Sequence, residues 1–354
     1  MSRPPSEVQE HPAEVSSHPG VSRWFRLALV GVSVGALAVV GLRGRLPDPG
    51  EFIAALAGAG YGWVAVAALL QVVSLAAFAF QQQRLLDNLG VRLRVRRLMA
   101  ITLARSALSI SLPAGAAVST GYAIREYQKA GVSRRIGAAS AVVSGLASIG
   151  GLTLLYVVGG AGVLARDPDT YLSWRPLVVV AALAGITTAG IVLGRWFSAR
   201  PRRTPAGPSA GAVRDSRAGR LVIRLLGSAR GAWQAGAGLR VRDWAVALAY
   251  AAVNWLTDLL CLAAATRALG LPVGVTTLAG IYLGVQIVRQ VPLTPGGVGV
   301  VETALVAGLT ASGATAISAA AAVLIYRLIS CWLIIPAGGL AAIALRRATT
   351  TRPE

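Results

Sequence analysis

Five ionisable side chains lie in segments that are otherwise apolar for many residues on either side. They are Arg105, Asp258, Arg289, Glu302 and Arg327. An unpaired charge at the centre of a bilayer costs at least about 2.5 kcal/mol, so each is expected to face a partner or a polar cavity. A guanidinium suits phosphate oxygens, and a nearby carboxylate can pair with it or compete for it. These residue types predict a polar site that recognises a negatively charged group.

Glu302 can be interpreted in two ways. It follows a glycine-rich turn at the start of an apolar helical run, where a carboxylate is favoured by the helix dipole and can cap free N–H groups. Alternatively, it pairs with Arg289 or Arg327 in a gated polar cavity that is alternately open to a charged headgroup. Both interpretations stay open from the sequence.

Arg327 and Asp258 lie in the middle of predicted membrane spans. Arg327, within "LIYRLIS", either binds a phosphate-bearing ligand or forms an internal salt bridge to Glu302 or Asp258. Asp258 follows Asn254 by four residues, which places both on one helical face. We expect that pair to pack against another polar group.

Composition places these residues in a membrane protein. Apolar residues make up 55% of the 354 residues, charged residues 14%, and the mean hydropathy is +0.63. A soluble domain has about a quarter of its residues charged. The net charge of +20 arises from arginines between the apolar segments, which is the positive-inside pattern of cytoplasmic loops. We therefore expect no nucleic-acid partner.

Histidine and cysteine supply no candidate for catalysis or metal binding. His11 and His18 lie in the polar residues 1–23, interpreted as a disordered cytoplasmic tail, and Cys261 and Cys331 lie in apolar segments. Neither a nucleophile–base pair nor a nucleotide-binding motif is visible. We expect no metal, no cofactor and no catalytic residue, with a membrane enzyme as a less favoured alternative.

The apolar segments predict an all-α polytopic membrane protein with about six full transmembrane helices. The predicted spans are 24–42, 61–83, 136–160, 175–197, 244–266 and 315–345. The first is expected to be a retained signal anchor rather than a cleaved peptide. Arginine-rich loops place both termini in the cytoplasm. The transmembrane domain, 24–345, then comprises a half at 24–197, a basic cytoplasmic linker at 198–240 and a half at 241–345, followed by a cytoplasmic tail at 346–354.

Two further apolar segments, 99–124 and 276–311, are interrupted by proline and glycine. The loop charges agree with six crossings if both segments are re-entrant hairpins, which line a cavity where they occur in membranes. Arg105 precedes the first interruption roughly as Arg289 precedes the second. The interruptions, interpreted as hinges, contain Pro113, Gly115, Pro292, Pro295, Gly296, Gly297 and Gly299.

The two halves also resemble each other in sequence. Residues 89–103 align with 269–283 at an offset of 180 residues, and after a slip of two residues "PAG" at 113–115 aligns with "PGG" at 295–297. The connection after the first hairpin is basic, whereas its counterpart after the second carries no charge. This difference predicts an inverted repeat, a plan in which transporters place their site near the membrane midplane.

The second hairpin carries a recognisable motif. "PLTPGGVGVVE", followed by Tyr326 and Arg327 in the next helix, resembles the signature of the flippase-like, lysylphosphatidylglycerol-synthase transmembrane-region family, over about residues 24–345. The resemblance implies an integral protein of the bacterial plasma membrane that moves lipids or lipid-linked glycans between leaflets. The family residues map onto Pro292, Pro295, Gly296, Gly297, Gly299, Glu302, Tyr326 and Arg327.

Two departures from the family pattern bear on activity. Some members carry a soluble aminoacyl-transferase domain, and because this chain ends at Glu354 we expect no synthase activity. Many members have a Gly-Glu pair in the first hairpin, whereas this chain has Ser119–Thr120 and no acid before Glu126. A different substrate or coupling therefore stays open.

We expect a flippase-like protein in which Arg289 and Arg327 hold an anionic headgroup and Glu302 competes for them. The expected partners are membrane lipids, either an anionic phospholipid or a polyprenyl-linked glycan. The alternative is a non-transporting scaffold or accessory subunit that docks a cell-envelope glycosyltransferase through the basic linker. The sequence does not indicate the oligomeric state.

Overall fold

The structure of the protein is a computed structural model, which describes residues 49–112, 114–164, 239–290 and 294–350. These residues form α-helices joined by short connections. The helices are α1 Pro49–Ala57, α2 Tyr61–Asn88, α3 Val95–Ser111, α4 Gly115–Gln128, α5 Arg134–Leu164, α6 Val241–Ala268, α7 Val275–Gln290, α8 Val300–Ala311, α9 Ala316–Arg327 and α10 Ile334–Thr350. A 3-10 turn, Pro295–Gly297, precedes α8, and a π-helical segment, Leu328–Trp332, joins α9 to α10.

Four segments within the described ranges are long and apolar enough to cross a membrane. They are Tyr61–Asn88, Arg134–Gly159, Val241–Ala268 and Ala316–Ala348. The chain is thus a multi-pass, all-helical membrane protein over the described residues. The predicted spans 24–42 and 175–197 lie outside those residues, as do the tail 1–23, positions 198–238 of the linker and residues 351–354.

The observed helices extend beyond the predicted spans. The helix α2 continues to Asn88, past the predicted end at 83, and α6 begins at Val241 rather than 244. Arginine side chains such as Arg84 can keep their charged ends in the interface while their stems cover apolar surface, so a helix need not stop where the hydrocarbon ends. Large apolar side chains cover the outside, among them Ile53, Leu69 and Leu340, as a lipid-facing surface requires.

Each proline–glycine interruption separates two helices that pack against each other. The first lies between α3 and α4, where Ala114 has a φ of 52°, and the second lies between α7 and α8, where Gly296 has a φ of 61°. Both breaks therefore fall where the sequence predicts them. Their placement as re-entrant hairpins within a membrane stays a prediction, and Pro113 and Pro292 lie outside the described residues.

The helices recur in the same order in the two halves. Helices α2 and α6 both have 28 residues. Each is followed by a glycine in the left-handed region, Gly90 with a φ of 83° and Gly270 with a φ of 66°. The residue after each glycine donates its N–H to a carbonyl five residues back, which is the Schellman arrangement that ends a helix. The sequence similarity at this offset is thus accompanied by the same local structure.

Helices α2 and α6 pack against each other in opposite directions. The N–H of Gly60, just before α2, donates to the carbonyl of Ala268 at the end of α6, with an N–O distance of 2.7 Å. Near the other end of α2, Gln81 Nε2 donates to the carbonyl of Ala247 at 2.9 Å. Between these contacts, Asn254 Nδ2 donates to the carbonyl oxygen and to Oγ of Ser74, at 2.9 and 2.8 Å. Ser74 and Asn254 are 180 residues apart, so equivalent positions of the two halves contact each other.

A buried polar network joins α2 to α5. Gln82 Nε2 donates to Ser144 Oγ, while Ser140 Oγ donates to Gln82 Oε1 at 3.1 Å and Ser144 Oγ donates to Gln81 Oε1 at 3.2 Å. All four side chains are buried. Side-chain hydrogen bonds of this kind contribute to the association of helices in membranes.

Close backbone packing joins α10 to the first hairpin. A Cβ atom placed on Gly338 would lie 2.4 Å from the Cβ of Ala107 and 2.5 Å from the carbonyl oxygen of Leu103. Only a glycine permits this approach of α10 to α3. Small residues at such crossings are a common means of packing helices in membranes.

Candidate functional site

Glu302 and Arg327 form an ion pair where the second interruption meets α9. Glu302 lies in the first turn of α8, and its Oε2 accepts a hydrogen bond from the N–H of Gly299 at 2.7 Å. Its other oxygen, Oε1, accepts from Arg327 Nε at 2.6 Å. One carboxylate therefore caps a helix and neutralises an arginine at once, while the gated cavity of the second interpretation stays a prediction.

The two partners differ in their access to the surroundings. The side chain of Arg327 is 4% exposed, whereas that of Glu302 is 26% exposed. Burial of a guanidinium without a partner would be costly, so Arg327 depends on acceptors close to it. A group that approaches this pair would reach Glu302 first.

Arg327 has a second acceptor in the 3-10 turn. Its terminal nitrogen Nη2 donates to the carbonyl of Gly296 at 3.1 Å. A Cβ atom on Gly296 would lie 2.7 Å from the carbonyl oxygen of Ile110 in α3. The turn of the second hairpin thus contacts the end of α3 directly. Arg327 donates a hydrogen bond to the same turn.

Asp258 forms a second cluster with two tyrosines. Its Oδ2 accepts hydrogen bonds from the hydroxyl groups of Tyr282 at 2.7 Å and Tyr326 at 3.1 Å. These contacts join α6, α7 and α9. Arg289 at the end of α7 interacts electrostatically with Asp258 and with both tyrosines, and it is exposed, whereas the tyrosines are buried.

The two clusters adjoin because Tyr326 and Arg327 are neighbours on α9. The chain continues from Arg327 directly into the π-helical segment, in which the N–H of Leu333 donates to the carbonyl of Leu328 at 2.9 Å. Such π segments often occur at functional sites. The buried Oγ of Ser330 in this segment has no hydrogen-bond partner among the described residues.

Arg105 has different neighbours from the other candidate residues. Its guanidinium carbon lies 4.9 Å from the centre of the Phe78 ring, and it interacts electrostatically with Tyr127 of α4. Within the described residues, Arg105 makes no hydrogen bond to Glu302 or Arg327. The approximate equivalence between Arg105 and Arg289 therefore does not bring Arg105 to the Glu302–Arg327 pair.

The sequence interpretation missed two contributors to the site. The first is Tyr282, a hydroxyl group in the otherwise apolar middle of α7, which could have been noticed for that reason. The second is the carbonyl of Gly296, which no side-chain pattern could reveal. Within the described ranges, no group of three His, Cys, Asp or Glu side chains lies close enough to hold a metal ion, and the absence of a cofactor stays an expectation.

Comparison with known proteins identifies relatives of this chain. A curated relative, glycosyltransferase AglD from Haloferax volcanii, is 28% identical over 282 residues, which cover 73% of this chain and 44% of that protein. The chain thus spans less than half the length of this relative. Residues 24–338 match the family model described as the lysylphosphatidylglycerol synthase TM region. Since this match covers most of the sequence, the chain belongs to the lysylphosphatidylglycerol synthase transmembrane-region family.

Proposed function

We propose that this protein moves a lipid or a lipid-linked glycan between the two leaflets of the plasma membrane. The observation that carries the proposal is the Glu302–Arg327 pair at the meeting point of the two helix interruptions. A buried arginine neutralised by an accessible carboxylate is a site from which an incoming anion can displace the internal partner. The proposal involves no bond making or breaking, and thus no enzymatic activity.

The order of contacts follows from exposure. Arg289 has an exposed surface through which an anionic headgroup can approach, although its guanidinium lies in densely packed surroundings near Asp258 and the two tyrosines. The headgroup then competes with Glu302 for the buried Arg327. Guanidinium groups bind phosphate oxygens through paired hydrogen bonds, so an anionic phospholipid or a polyprenyl-linked glycan phosphate fits both arginines.

The antiparallel packing of α2 and α6 supports the proposal of alternating access. A residue contacts its own equivalent in a second repeat only near the two-fold axis that relates the repeats, and Ser74 and Asn254 make such a contact. This supports an inverted repeat of spans and re-entrant hairpins, with the axis in the membrane plane. In proteins with this plan, one repeat rocks against the other around a site near the midplane.

Reconstitution into liposomes tests the proposal. Wild-type protein is expected to accelerate movement of a fluorescent anionic phospholipid or polyprenyl phosphate sugar across the bilayer, and Arg327→Ala is expected to abolish the acceleration. The matched control is Arg267→Ala, which removes an exposed arginine from the last turn of α6. A correctly folded Arg327→Ala protein that moves lipid at the wild-type rate would contradict the role of Arg327. Absence of movement for every anionic lipid offered would contradict the transport proposal itself.

A second candidate function is a non-transporting accessory subunit of cell-envelope lipid or glycan synthesis. It is favoured by the similarity to a protein named a glycosyltransferase. In this case the basic segment before α6 would dock the partner enzyme. Deletion of residues 199–238 tests the role of that segment, because loss of partner binding with lipid movement retained assigns it to docking, whereas loss of movement assigns it to transport. A full-length protein that binds the partner enzyme and moves no lipid would favour the accessory function.

A further inference from the structure

Two adjoining cavities open where the end of α2 meets the start of α6. Their volumes are about 440 and 360 Å³, and both are lined by Arg84 and Tyr250. We call them together the α2–α6 cavity. Asp258 lies two helical turns beyond Tyr250, about 12 Å further along α6 at the usual rise per residue. The cavity is therefore distinct from the Glu302–Arg327 site.

The larger part of the cavity is basic. Arg84 comes from α2, while Arg240 and Arg242 come from the start of α6. The carboxylate of Asp243, which also lines it, already accepts a hydrogen bond from the backbone N–H of Arg240 at 3.0 Å. Across the described residues, the structure records no ion pair for these three arginines. The smaller part adds one more acid, Asp87, so the arginines outnumber the acids.

One wall of the cavity is apolar. The rings of Phe80 and Tyr250 lie with their centres 6.5 Å apart, and Phe80 is 37% exposed although it is large and apolar. Val246 continues this wall beside the arginines. An arginine cluster next to exposed apolar surface, at the end of a membrane-spanning helix, complements a molecule with a phosphate group and an attached hydrocarbon part.

The opposite end of the same helix pair shows that packing does not demand these arginines. The residues at the offset of 180 from Arg84, Arg240 and Arg242 are Ala264, Gly60 and Gly62. There the backbone of Gly60 bonds directly to the carbonyl of Ala268. The basic cavity is thus present at one end of the α2–α6 pair and replaced by close packing at the other, as expected for a site that serves one leaflet only.

We propose that the α2–α6 cavity binds the phosphate group of an anionic phospholipid at the arginine-rich face of the membrane. The three guanidinium groups contact the phosphate oxygens, and the Phe80–Val246 wall contacts the start of the acyl region. This binding goes beyond the proposed transport, because it requires neither Glu302 nor Arg327 and would hold in a protein that moves no lipid.

Binding of defined lipids to the purified full-length protein tests the site. The probes are phosphatidylglycerol and phosphatidylcholine in mixed micelles, with inorganic phosphate and glycerol phosphate as competitors, and the readout is lipid retention by native mass spectrometry together with thermal stabilisation. The cavity variant is R84Q/R240Q/R242Q. The matched control, R92Q/R94Q/R96Q, removes the same number of charges from exposed arginines that do not line the cavity.

Phosphatidylglycerol is expected to bind the wild type and the control alike, and to bind the cavity variant more weakly by about tenfold or more, since one hydrogen bond to a charged group is already worth that factor. Equal weakening in the cavity variant and the control would overturn the proposal in favour of general surface attraction, and so would equal retention of phosphatidylcholine. If inorganic phosphate alone stabilises the wild type as well as the lipid does, the occupant is free phosphate and the lipid assignment is wrong. Wild-type lipid binding by Arg327→Ala, with transport lost, would show that this site and the transport site are separate.

Discussion

Replacement of Glu302 by glutamine separates the two roles of its carboxylate. Glutamine keeps the shape of the side chain, but it has one acceptor oxygen in place of two. It can therefore accept from the N–H of Gly299 or from Arg327 Nε and not from both, and it removes the negative charge that faces Arg327. If Glu302 competes with a headgroup for Arg327, the variant should bind anionic lipid more tightly. It should also move lipid more slowly, because the internal carboxylate no longer helps to release the headgroup.

The size of the effect follows from the contacts. A hydrogen bond between two ionised groups is roughly twice as strong as a neutral one, so loss of the charge alone costs about 1–2 kcal/mol. If Glu302 competes with the headgroup for Arg327, weakening this competitor by the same free energy strengthens lipid binding about 5–30-fold. Glu302→Ala removes the pair entirely and costs about 3–5 kcal/mol for the buried charge left behind, and it also loses a helix cap worth about 1 kcal/mol.

Three measurements on the same protein preparations test whether Glu302 competes with the headgroup for Arg327. Unfolding in SDS or urea gives the stability, equilibrium binding of anionic lipid gives the affinity, and proteoliposomes give the rate of movement. Glu51→Gln is the control, since it neutralises an exposed glutamate in the first turn of α1. A folded Glu302→Gln protein with unchanged or weaker lipid affinity would refute the competition and leave Glu302 with a purely structural role.

Further predictions concern packing and the second cluster. Gly338→Ala should destabilise the protein by about 1–3 kcal/mol through overpacking against α3, whereas Gly339→Ala, which meets nothing within 4 Å, should not; similar unfolding midpoints for the two would contradict the close approach. Tyr326→Phe should cost about 1 kcal/mol through loss of its hydrogen bond to Asp258, and an unchanged unfolding free energy would show that this bond contributes nothing. Gly296→Ala should cost about 1–3 kcal/mol for the left-handed backbone alone, with more from its contact to the first hairpin, and wild-type stability would mean that the turn does not rest there.

Much of the fold could be predicted because membrane spans depend on long apolar runs. The described spans appear near their predicted places, and both proline–glycine breaks separate helices as expected. Errors at the ends, such as the extension of α2 to Asn88, arise because a helix can continue beyond the hydrocarbon while long side chains keep their charged ends in the interface. The apolar pattern predicts which residues lie in the hydrocarbon, and not where the hydrogen-bonded helix begins and ends.

The site was predictable only as a set of residues. The free energy of placing a charge in the membrane singles out Glu302, Arg327 and Asp258, because a charge in an apolar span needs a partner. This free energy does not say which residues pair, and from the sequence Arg289 and Arg327 were equal candidates for the partner of Glu302. The turn geometry decides between them, since it brings the carbonyl of Gly296 and the first turn of α8 to Arg327.

The contact of Ser74 with Asn254 has a consequence for the origin of this architecture. A chain of half this length that inserted into the membrane in either orientation could form the same seam by pairing with a second copy of itself, and each position on the axis would then meet an identical residue. Once both halves belong to one polypeptide, that identity is no longer required. Serine can then face asparagine at the axis, arginines can gather at one end of the seam, and a single hairpin can carry the carboxylate. Joining the two halves in one polypeptide in this way allows a symmetric seam to carry two unlike faces.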